Sequence, residues 1–305
     1  MIIIGALLAI VLALSSSPVF AAESQNSVRL QLSPTSQRIT LEPDSVYNGT
    51  FMLRNIGETE FHYTIDISPY QVTDDSYLPS YSIENSYTQI VDWVTFDNES
   101  GLLEPGGAVE INYTITVPLD VPAGGQYAVL TAQTSDGNIS GSSVRTVSRI
   151  GMVLYATVSG TTRKSGEIVS NKVNGIIFNN DLFATSTVIN TGNVDAEATY
   201  YLEAINLFNN SVAYSNKSEP TTKIVLPGTT RTNIISWEGS PALGLFRVEH
   251  NVEYLGHVEN VSKIVFLCPV WFLVASIAFI ILVILLIIAR IRARQAKKKK
   301  RGFGL

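Results

Sequence analysis

The chain has 305 residues, of which 46% are hydrophobic and 15% charged, and it carries a formal net charge of −5 and a single cysteine. This length exceeds what one β-sandwich needs, and one cysteine excludes an intrachain disulfide framework. Extracellular domains of animal cells usually carry such bridges, so the composition argues against an animal extracellular protein.

The chain begins with an apolar run from Ile2 to Leu14, followed by a short stretch that ends at Ala21. This pattern predicts a secretory signal peptide over residues 1–21. No Lys or Arg precedes the apolar run, so the alternative is an uncleaved membrane anchor at the same position.

The region after the leader shows strand-like patterning. Residues 28–32 and 113–117 alternate apolar and polar side chains with a period of two, which is typical of half-buried strands. Gly, Pro and Asn clusters separate such runs at roughly ten-residue intervals, as in sandwiches with short strands and tight turns. The exported part is therefore predicted to be all-β.

An internal repeat sets the domain count. Asn55-Ile56-Gly57 and Asn190-Thr191-Gly192 each follow an apolar run, and each precedes a Pro-Gly pair further along the chain. Because Asn and Gly tolerate left-handed backbone, the Asn-x-Gly motifs predict tight hairpin turns. The repeat predicts two tandem immunoglobulin-like β-sandwiches, at residues 23–158 and 159–262.

The first copy is longer than the second between its two turns, and the segment from Tyr70 to Tyr87 is the predicted insertion. Tyr70, Tyr77, Tyr81 and Tyr87 lie there among Ser, Asn and Asp residues. This mixture offers broad apolar contact together with adaptable hydrogen bonds, so the four tyrosines form the candidate partner-binding loop, with Tyr77 and Tyr81 exposed. Alternatively, the tyrosines are strand-core residues. Trp93 is expected to pack inward.

A second apolar segment, Ile264 to Ala289, has no charged residue and is long enough to cross a hydrocarbon core, which needs about 20 helical residues. Eight cations and no acid follow in residues 290–305. Because positive charge stays on the cytoplasmic side, the pattern predicts a single-pass protein of the cell membrane. Its N-terminal ectodomain lies outside, and its basic tail contacts anionic inner-leaflet lipid.

The charge is unevenly divided along the chain. Without the eight tail cations, the net charge of −5 becomes −13. An acidic ectodomain is not expected to bind nucleic acid, since phosphate contacts require clustered Lys and Arg.

Three motifs carry a resemblance to a known family. They are Val91-Asp92-Trp93-Val94-Thr95-Phe96, Leu103-Glu104-Pro105-Gly106-Gly107, and the stretch from Val117 to Gly124. Together with the order of parts along the chain, they make it similar to the WxL-interacting surface proteins of Gram-positive bacteria. This resemblance implies that the first domain binds peptidoglycan, that the second binds a host component, and that a membrane helix and a basic tail follow.

The sequence offers little catalytic chemistry. Its histidines, His62, His250 and His257, lie in no recognisable catalytic or metal motif. The seven-residue spacing of the last two puts them on opposite faces of a strand, and the acidic loops lack the ligand spacing of a calcium hand. We therefore predict no enzyme activity, no metal site and no cofactor.

These features predict a membrane-anchored cell-surface binding protein. Its outer β-sandwich engages the cell wall or an exported protein partner, through exposed sheet edges and the tyrosine-rich loop. The alternative is a structural stalk or spacer in a surface assembly, in which the repeat only separates other components from the membrane.

Overall fold

The computed structural model describes residues 29–135, 147–178 and 181–301. The all-β prediction is confirmed: two immunoglobulin-like β-sandwiches lie in tandem and a single apolar helix follows them. The predicted signal peptide at residues 1–21 lies outside the described residues, as do residues 302–305 of the predicted tail.

The strands of the first sandwich alternate buried and exposed side chains, because one face of each sheet packs on the core. Phe51 and Leu53 are buried, for example, whereas Thr50 and Arg54 are exposed. A 3-10 helix at Gln89–Trp93 precedes the seventh strand. The strands are β1 (Leu30–Ser33), β2 (Ser36–Leu41), β3 (Val46–Asn55), β4 (Phe61–Pro69), β5 (Gln71–Val72), β6 (Pro79–Ser80), β7 (Val94–Phe96), β8 (Ser100–Leu103), β9 (Ala108–Thr116), β10 (Gly124–Ser135) and β11 (Arg149–Val158).

Two sheets form this sandwich, in the orders β1-β3-β9-β7 and β2-β11-β10-β4-β8. Strand β2 runs parallel to β11, and the other pairs are antiparallel. The core between the sheets includes Leu53, Ile111, Leu130 and Leu154, all almost fully buried. Trp93 belongs to it with 8% of its surface exposed, so the expected inward packing is confirmed, although the residue ends a 3-10 helix rather than lying in a strand.

The second sandwich has three strands in one sheet and six in the other. Its strands are β12 (Gly166–Val173), β13 (Ile176–Ile177), β14 (Leu182–Asn190), β15 (Ala196–Asn206), β16 (Val212–Ser215), β17 (Thr221–Val225), β18 (Thr230–Trp237), β19 (Gly244–Tyr254) and β20 (His257–Leu267). One sheet has the order β12-β14-β18, and the other has the order β13-β20-β19-β15-β16, with β17 also paired to β15.

One buried asparagine organises the repeat in each sandwich. Asn55 and Asn190 are both 0% exposed. The side-chain nitrogen of Asn55 donates to the main-chain carbonyl four residues further on (2.8 Å) and to the one 48 residues further on (3.1 Å). The side-chain nitrogen of Asn190 donates to the main-chain carbonyl four residues further on (2.9 Å) and to the one 35 residues further on (2.8 Å). Each side-chain oxygen accepts from the N–H of Gly57 or Gly192, at 2.9 and 2.8 Å. The two sandwiches therefore use the same hydrogen-bond plan.

The expected left-handed backbone lies elsewhere in the repeat. Within the repeated motifs, positive φ angles occur at Gly106 (74°) and Gly228 (69°), in the Pro-Gly turns, and not at Gly57 or Gly192. The prediction for the Asn-x-Gly turns is wrong in this respect, because the asparagine side chain shapes those turns through its hydrogen bonds. The Pro-Gly turns are where glycine is needed for its conformation.

The apolar helix, α1, spans Val270–Arg301. Its stretch Val270–Arg294 is long and apolar enough to cross a membrane, and an 18-residue window within it has a mean hydropathy of 3.4. The predicted start at Ile264 is wrong, because residues up to Leu267 belong to β20, where Leu267 pairs with Gly244 of β19. Apolar strand residues that precede a helix directly cannot be separated from it by hydropathy alone.

Candidate functional site

The tyrosine-rich segment, residues 70–87, leaves the first sandwich after β4 and returns just before the 3-10 helix. Strand β10 fixes both of its ends: the N–H of Tyr70 donates to the carbonyl of Tyr127 (3.2 Å), and the N–H of Tyr127 donates to the carbonyl of Tyr87 (2.7 Å). The short β5–β6 pair lies between these ends. The segment is thus an ordered loop whose two ends are both hydrogen-bonded to β10.

A buried glutamine holds the returning half of the segment. Gln126 is 1% exposed; its side-chain nitrogen donates to the carbonyl of Ser86 (2.8 Å), and its side-chain oxygen accepts from the N–H of Ile90 (3.2 Å). Next to it, the Asn85 side chain accepts from the N–H of Tyr87 at 2.8 Å. These bonds satisfy main-chain groups that a free loop would leave to water.

The tip of the segment reaches the second sandwich at strand β18. The N–H of Thr232 donates to the carbonyl of Asp75 (2.6 Å), and the hydroxyl of Thr232 donates to the carboxylate of Asp75 (3.0 Å). Strand β18 lies at the end of its sheet, where unpaired main-chain groups would otherwise face solvent. The first sandwich therefore covers part of a sheet edge of the second.

Tyr77 contacts the second sandwich through both its hydroxyl and its ring. Its hydroxyl lies 3.1 Å from the hydroxyl of Thr229 and accepts a short hydrogen bond from the N–H of Leu226, and the guanidinium of Arg231 lies 3.9 Å from its ring centroid. Burial raises the pKa of this phenol. The predicted exposure of Tyr77 is wrong, because the ring is docked between a cation and a turn of the second sandwich.

The other three tyrosines of the segment differ in their surroundings. Tyr70 is half-buried, and its ring meets that of Tyr155 edge to face at a centroid distance of 6.2 Å. Tyr87 is half-buried beside β10. Tyr81 is 47% exposed, as predicted. The structure therefore assigns anchoring contacts to three of the four candidate tyrosines and leaves one facing solvent.

Three large apolar side chains of the segment face solvent. Leu78, Tyr81 and Ile83 are 59%, 47% and 39% exposed, and we call them the exposed apolar patch. Sequence reasoning selected the tyrosines and missed Leu78 and Ile83. Two aliphatic residues inside a stretch of Ser, Asn and Asp were the available signal, since such a stretch has no core of its own in which to bury them.

The contacts between the two sandwiches, which we call the seam, also include an ionic group. The Arg38 guanidinium lies 2.6 Å from the Asp195 carboxylate and 3.4 Å from that of Glu197. The Tyr127 hydroxyl donates to Asp195 (3.1 Å) and accepts from its N–H (2.8 Å). Burial, reinforced by the carboxylate, raises the pKa of Tyr127. Burial alone would lower the pKa of Arg38, but the hydrogen bond with Asp195 and the negative charges of Asp195 and Glu197 together outweigh burial and raise the pKa.

A cleft of about 610 Å³ opens beside these ionic residues. Its lining includes Arg38, Lys164, Asp195, Glu197 and Leu255. Lys164 and Glu197 are exposed, so the cleft can hold a polar chain. However, Arg38 already forms an ion pair with Asp195 of the second sandwich. We therefore interpret the cleft as part of the contact between the two sandwiches.

The histidines do not assemble a reactive centre. His62 and His257 are exposed, whereas His250 is fully buried in the second sandwich. Within the described ranges, no group of three or more His, Cys, Asp or Glu side chains could hold a metal ion.

The proteins to which this chain is similar are known from solved structures. No protein-family model matches the chain, and no curated protein matches it. Similar solved structures include the class 5 fimbriae chaperone CfaA, with 10% identity and a TM-score of 0.40, over 77% of this chain and 99% of the chaperone. The Escherichia coli chaperone DraB has 10% identity and a TM-score of 0.39, over 77% and 97%. The CsuC–CsuE chaperone and tip adhesion subunit complex of Acinetobacter baumannii has 12% identity and a TM-score of 0.39, over 77% and 98%.

Proposed function

We propose that this protein is anchored in the cell membrane by α1, displays its two sandwiches outside the cell, and binds an exported protein partner through the exposed apolar patch. The observation that carries the proposal is that Leu78, Tyr81 and Ile83 face solvent on a segment that is tied to both sandwiches. The eight cations that follow the apolar stretch favour a cytoplasmic C-terminus.

The anchoring contacts and the patch use different residues. Tyr70, Tyr77 and Gln126 hold the segment in place, and none of the three patch side chains is needed for that task. Exposing aliphatic side chains in an ordered surface segment favours a contact with another molecule. Because the segment is already ordered, little conformational entropy is lost on binding.

The cell wall is the second ligand to test. Peptidoglycan binding by the first sandwich is implied by the resemblance to the WxL-interacting proteins, and it stays a prediction. The patch suits a protein surface better than a polysaccharide, because Leu78 and Ile83 offer no hydrogen-bonding group to sugar hydroxyls. Binding of anionic inner-leaflet lipid by the basic tail also stays a prediction.

A retention experiment tests the proposal. The full chain, purified in detergent micelles and immobilised, is offered exported proteins and, separately, purified cell wall. The variant Leu78→Ser/Tyr81→Ser/Ile83→Ser is expected to lose the partner that the natural chain retains. The control Leu119→Ser alters a side chain that is 73% exposed elsewhere on the first sandwich and is expected to retain it.

Equal retention by all three proteins would remove the patch from the binding site. Retention of cell wall that disappears with the patch variant would favour the wall as the ligand. Retention of one exported protein that disappears only with the patch variant supports the proposal.

A stalk is the second candidate function, and the seam favours it. The sandwiches are joined by Asp75 and Tyr77 and also by the Arg38–Asp195 pair. Several contacts between two domains restrict bending at the linker. A chain that retains no partner, yet keeps a fixed distance between the two sandwiches in spin-label measurements, would fit a spacer.

A further inference from the structure

Three loops of the second sandwich lie beside the start of α1. Because Gly244 pairs with Leu267, the loop at residues 238–243 lies level with the end of β20. The loop at residues 207–211 joins the same end, since the N–H of Leu207 donates to the carbonyl of Leu245 (3.1 Å). Of the third loop the structure describes Phe178 and Asp181, and the carboxylate of Asp181 accepts from the N–H of Gly239 (3.0 Å). We call these loops the helix-proximal end.

Large apolar side chains stand exposed at this end. Phe208 is 83% exposed, Leu243 is 44% exposed and Phe178 is 43% exposed. Trp271, in the first turn of α1, is 68% exposed. One aromatic or aliphatic side chain therefore projects from each of the three loops, next to an aromatic residue of the helix itself.

The connection between the sandwich and the helix is short. Only Cys268 and Pro269 separate β20 from α1, and a chain of this length spans about 10 Å at most. The N–H of Cys268 donates to the carbonyl of Ile177 (3.0 Å), and the N–H of Phe272 donates to the carbonyl of Pro269 (3.0 Å). The connection is thus hydrogen-bonded at both ends, and the sandwich cannot stand far from the membrane that holds the helix.

The charges of this end identify the kind of contact. Its exposed ionisable side chains, among the described residues of the three loops, are Asp181 and Glu238. Acidic groups are not attracted to anionic lipid headgroups. Aromatic side chains favour the boundary between headgroups and acyl chains, so contact here would come from apolar insertion.

We propose that Phe178, Phe208 and Leu243 insert into the interfacial layer of the outer leaflet, so that the second sandwich rests on the membrane around α1. The proposal rests on the proposed membrane anchoring, because α1 must cross the bilayer to bring this end to its surface. The contacts of the seam then carry this orientation to the first sandwich.

Spin labels on the full chain test this inference. The single cysteine, Cys268, is buried and is first replaced by Ala. Labels are then placed by Phe208→Cys and Leu243→Cys, with Ile280→Cys inside the helix and Leu119→Cys on the first sandwich as references. The chains are reconstituted into phosphatidylcholine vesicles, and collision rates with oxygen and with a water-soluble nickel complex are measured for each label.

We expect the ratio of oxygen to nickel collisions at positions 208 and 243 to exceed that at position 119 several-fold, and to fall below that at position 280. Water-like ratios at 208 and 243, with a lipid-like ratio at 280, would overturn the inference and leave the anchor intact. A water-like ratio at 280 would instead remove the anchor of the proposed function, and the inference with it.

A second set of vesicles separates apolar insertion from charge attraction. With phosphatidylglycerol added to the phosphatidylcholine, the ratios at 208 and 243 are expected to stay equal or to decrease, because the loops carry acidic residues. Lipid-like ratios that appear only in the anionic vesicles would overturn insertion by apolar side chains.

Discussion

The two sandwiches share a turn and differ in their cores. Asn55 and Asn190 make the same hydrogen bonds at the same place in each fold. Among the described residues, each sandwich has a hydrophobic core and buries six polar side chains, but five of the six buried side-chain atoms that lack a hydrogen-bond partner lie in the second sandwich. The repeat therefore preserves the main-chain plan of the turn, and the contents of the core vary around it.

The polar side chains of the second core form a row across one sheet. Asn171 on β12 pairs with Ser186 on β14, which pairs with Asn233 on β18. From the facing sheet, Nδ1 of His250 lies 2.6 Å from the side-chain oxygen of Asn171. Ser186 Oγ, Asn233 Nδ2 and His250 Nε2 have no hydrogen-bond partner among the described residues. Buried polar atoms left unpaired cost about 1–3 kcal/mol each, so the second sandwich is expected to be the less stable.

The largest expected effect tests what the sandwiches share. Replacing Asn55 or Asn190 with Ala removes three hydrogen bonds at a fully buried site and leaves their main-chain partners unpaired. Each change is expected to lower the free energy of unfolding of its own sandwich by about 4 kcal/mol. Hydrogen exchange with mass spectrometry, on the full chain in micelles, measures the stability of each sandwich separately. A large loss in one sandwich and none in the other would show that the shared turn is not equally important.

A pH titration tests what distinguishes the sandwiches. Burial lowers the pKa of His250 from 6.5 to about 4, so between these values the unfolded chain binds a proton that the folded sandwich excludes. The contribution of His250 to stability is full above pH 6.5 and falls by about 3 kcal/mol as the pH drops to 4. Hydrogen exchange across this range is expected to show faster opening of the second sandwich at low pH.

Histidine variants supply the controls for the titration. His250→Leu is expected to flatten the acid dependence of the second sandwich, whatever it does to stability at neutral pH. His62→Gln and His257→Gln alter exposed side chains and should leave the dependence as it is. A response that persists in His250→Leu would assign the acid sensitivity to another group.

A smaller effect is expected at the seam, where the two sandwiches meet. Asp195→Asn keeps the size of the side chain and removes the charge that faces Arg38. Because the Arg38 side chain is 48% exposed, solvent screens the pair, and a loss of about 1.5 kcal/mol is expected, mostly from the charged hydrogen bonds. Faster exchange of amides at the seam would report it. Glu197→Gln, at a longer and more exposed contact, should have no measurable effect.

Local patterns predicted the strands, the repeat and the apolar helix, because each depends on residues close together in the chain. The seam could not be predicted in this way. Tyr77 was expected to be exposed, but it binds a turn formed some 150 residues later in the chain, and nothing near it indicates that partner. The start of α1 was misplaced because the end of β20 and the helix that follows it are both apolar, so hydropathy shows no boundary between them.

The smallest expected effect on stability separates binding from folding in the first sandwich. Leu78→Ser is expected to change the free energy of unfolding by no more than about 0.5 kcal/mol, as is usual for exposed positions, and to weaken retention of the partner. Ile234→Ser, at a position of the second sandwich that is 66% exposed, should be equally neutral for stability and should leave retention unchanged. Chemical denaturation of both variants, beside the retention assay, checks this. If Leu78→Ser destabilised the first sandwich by several kcal/mol, lost retention would reflect a displaced segment, and the patch would be a packing surface rather than a contact.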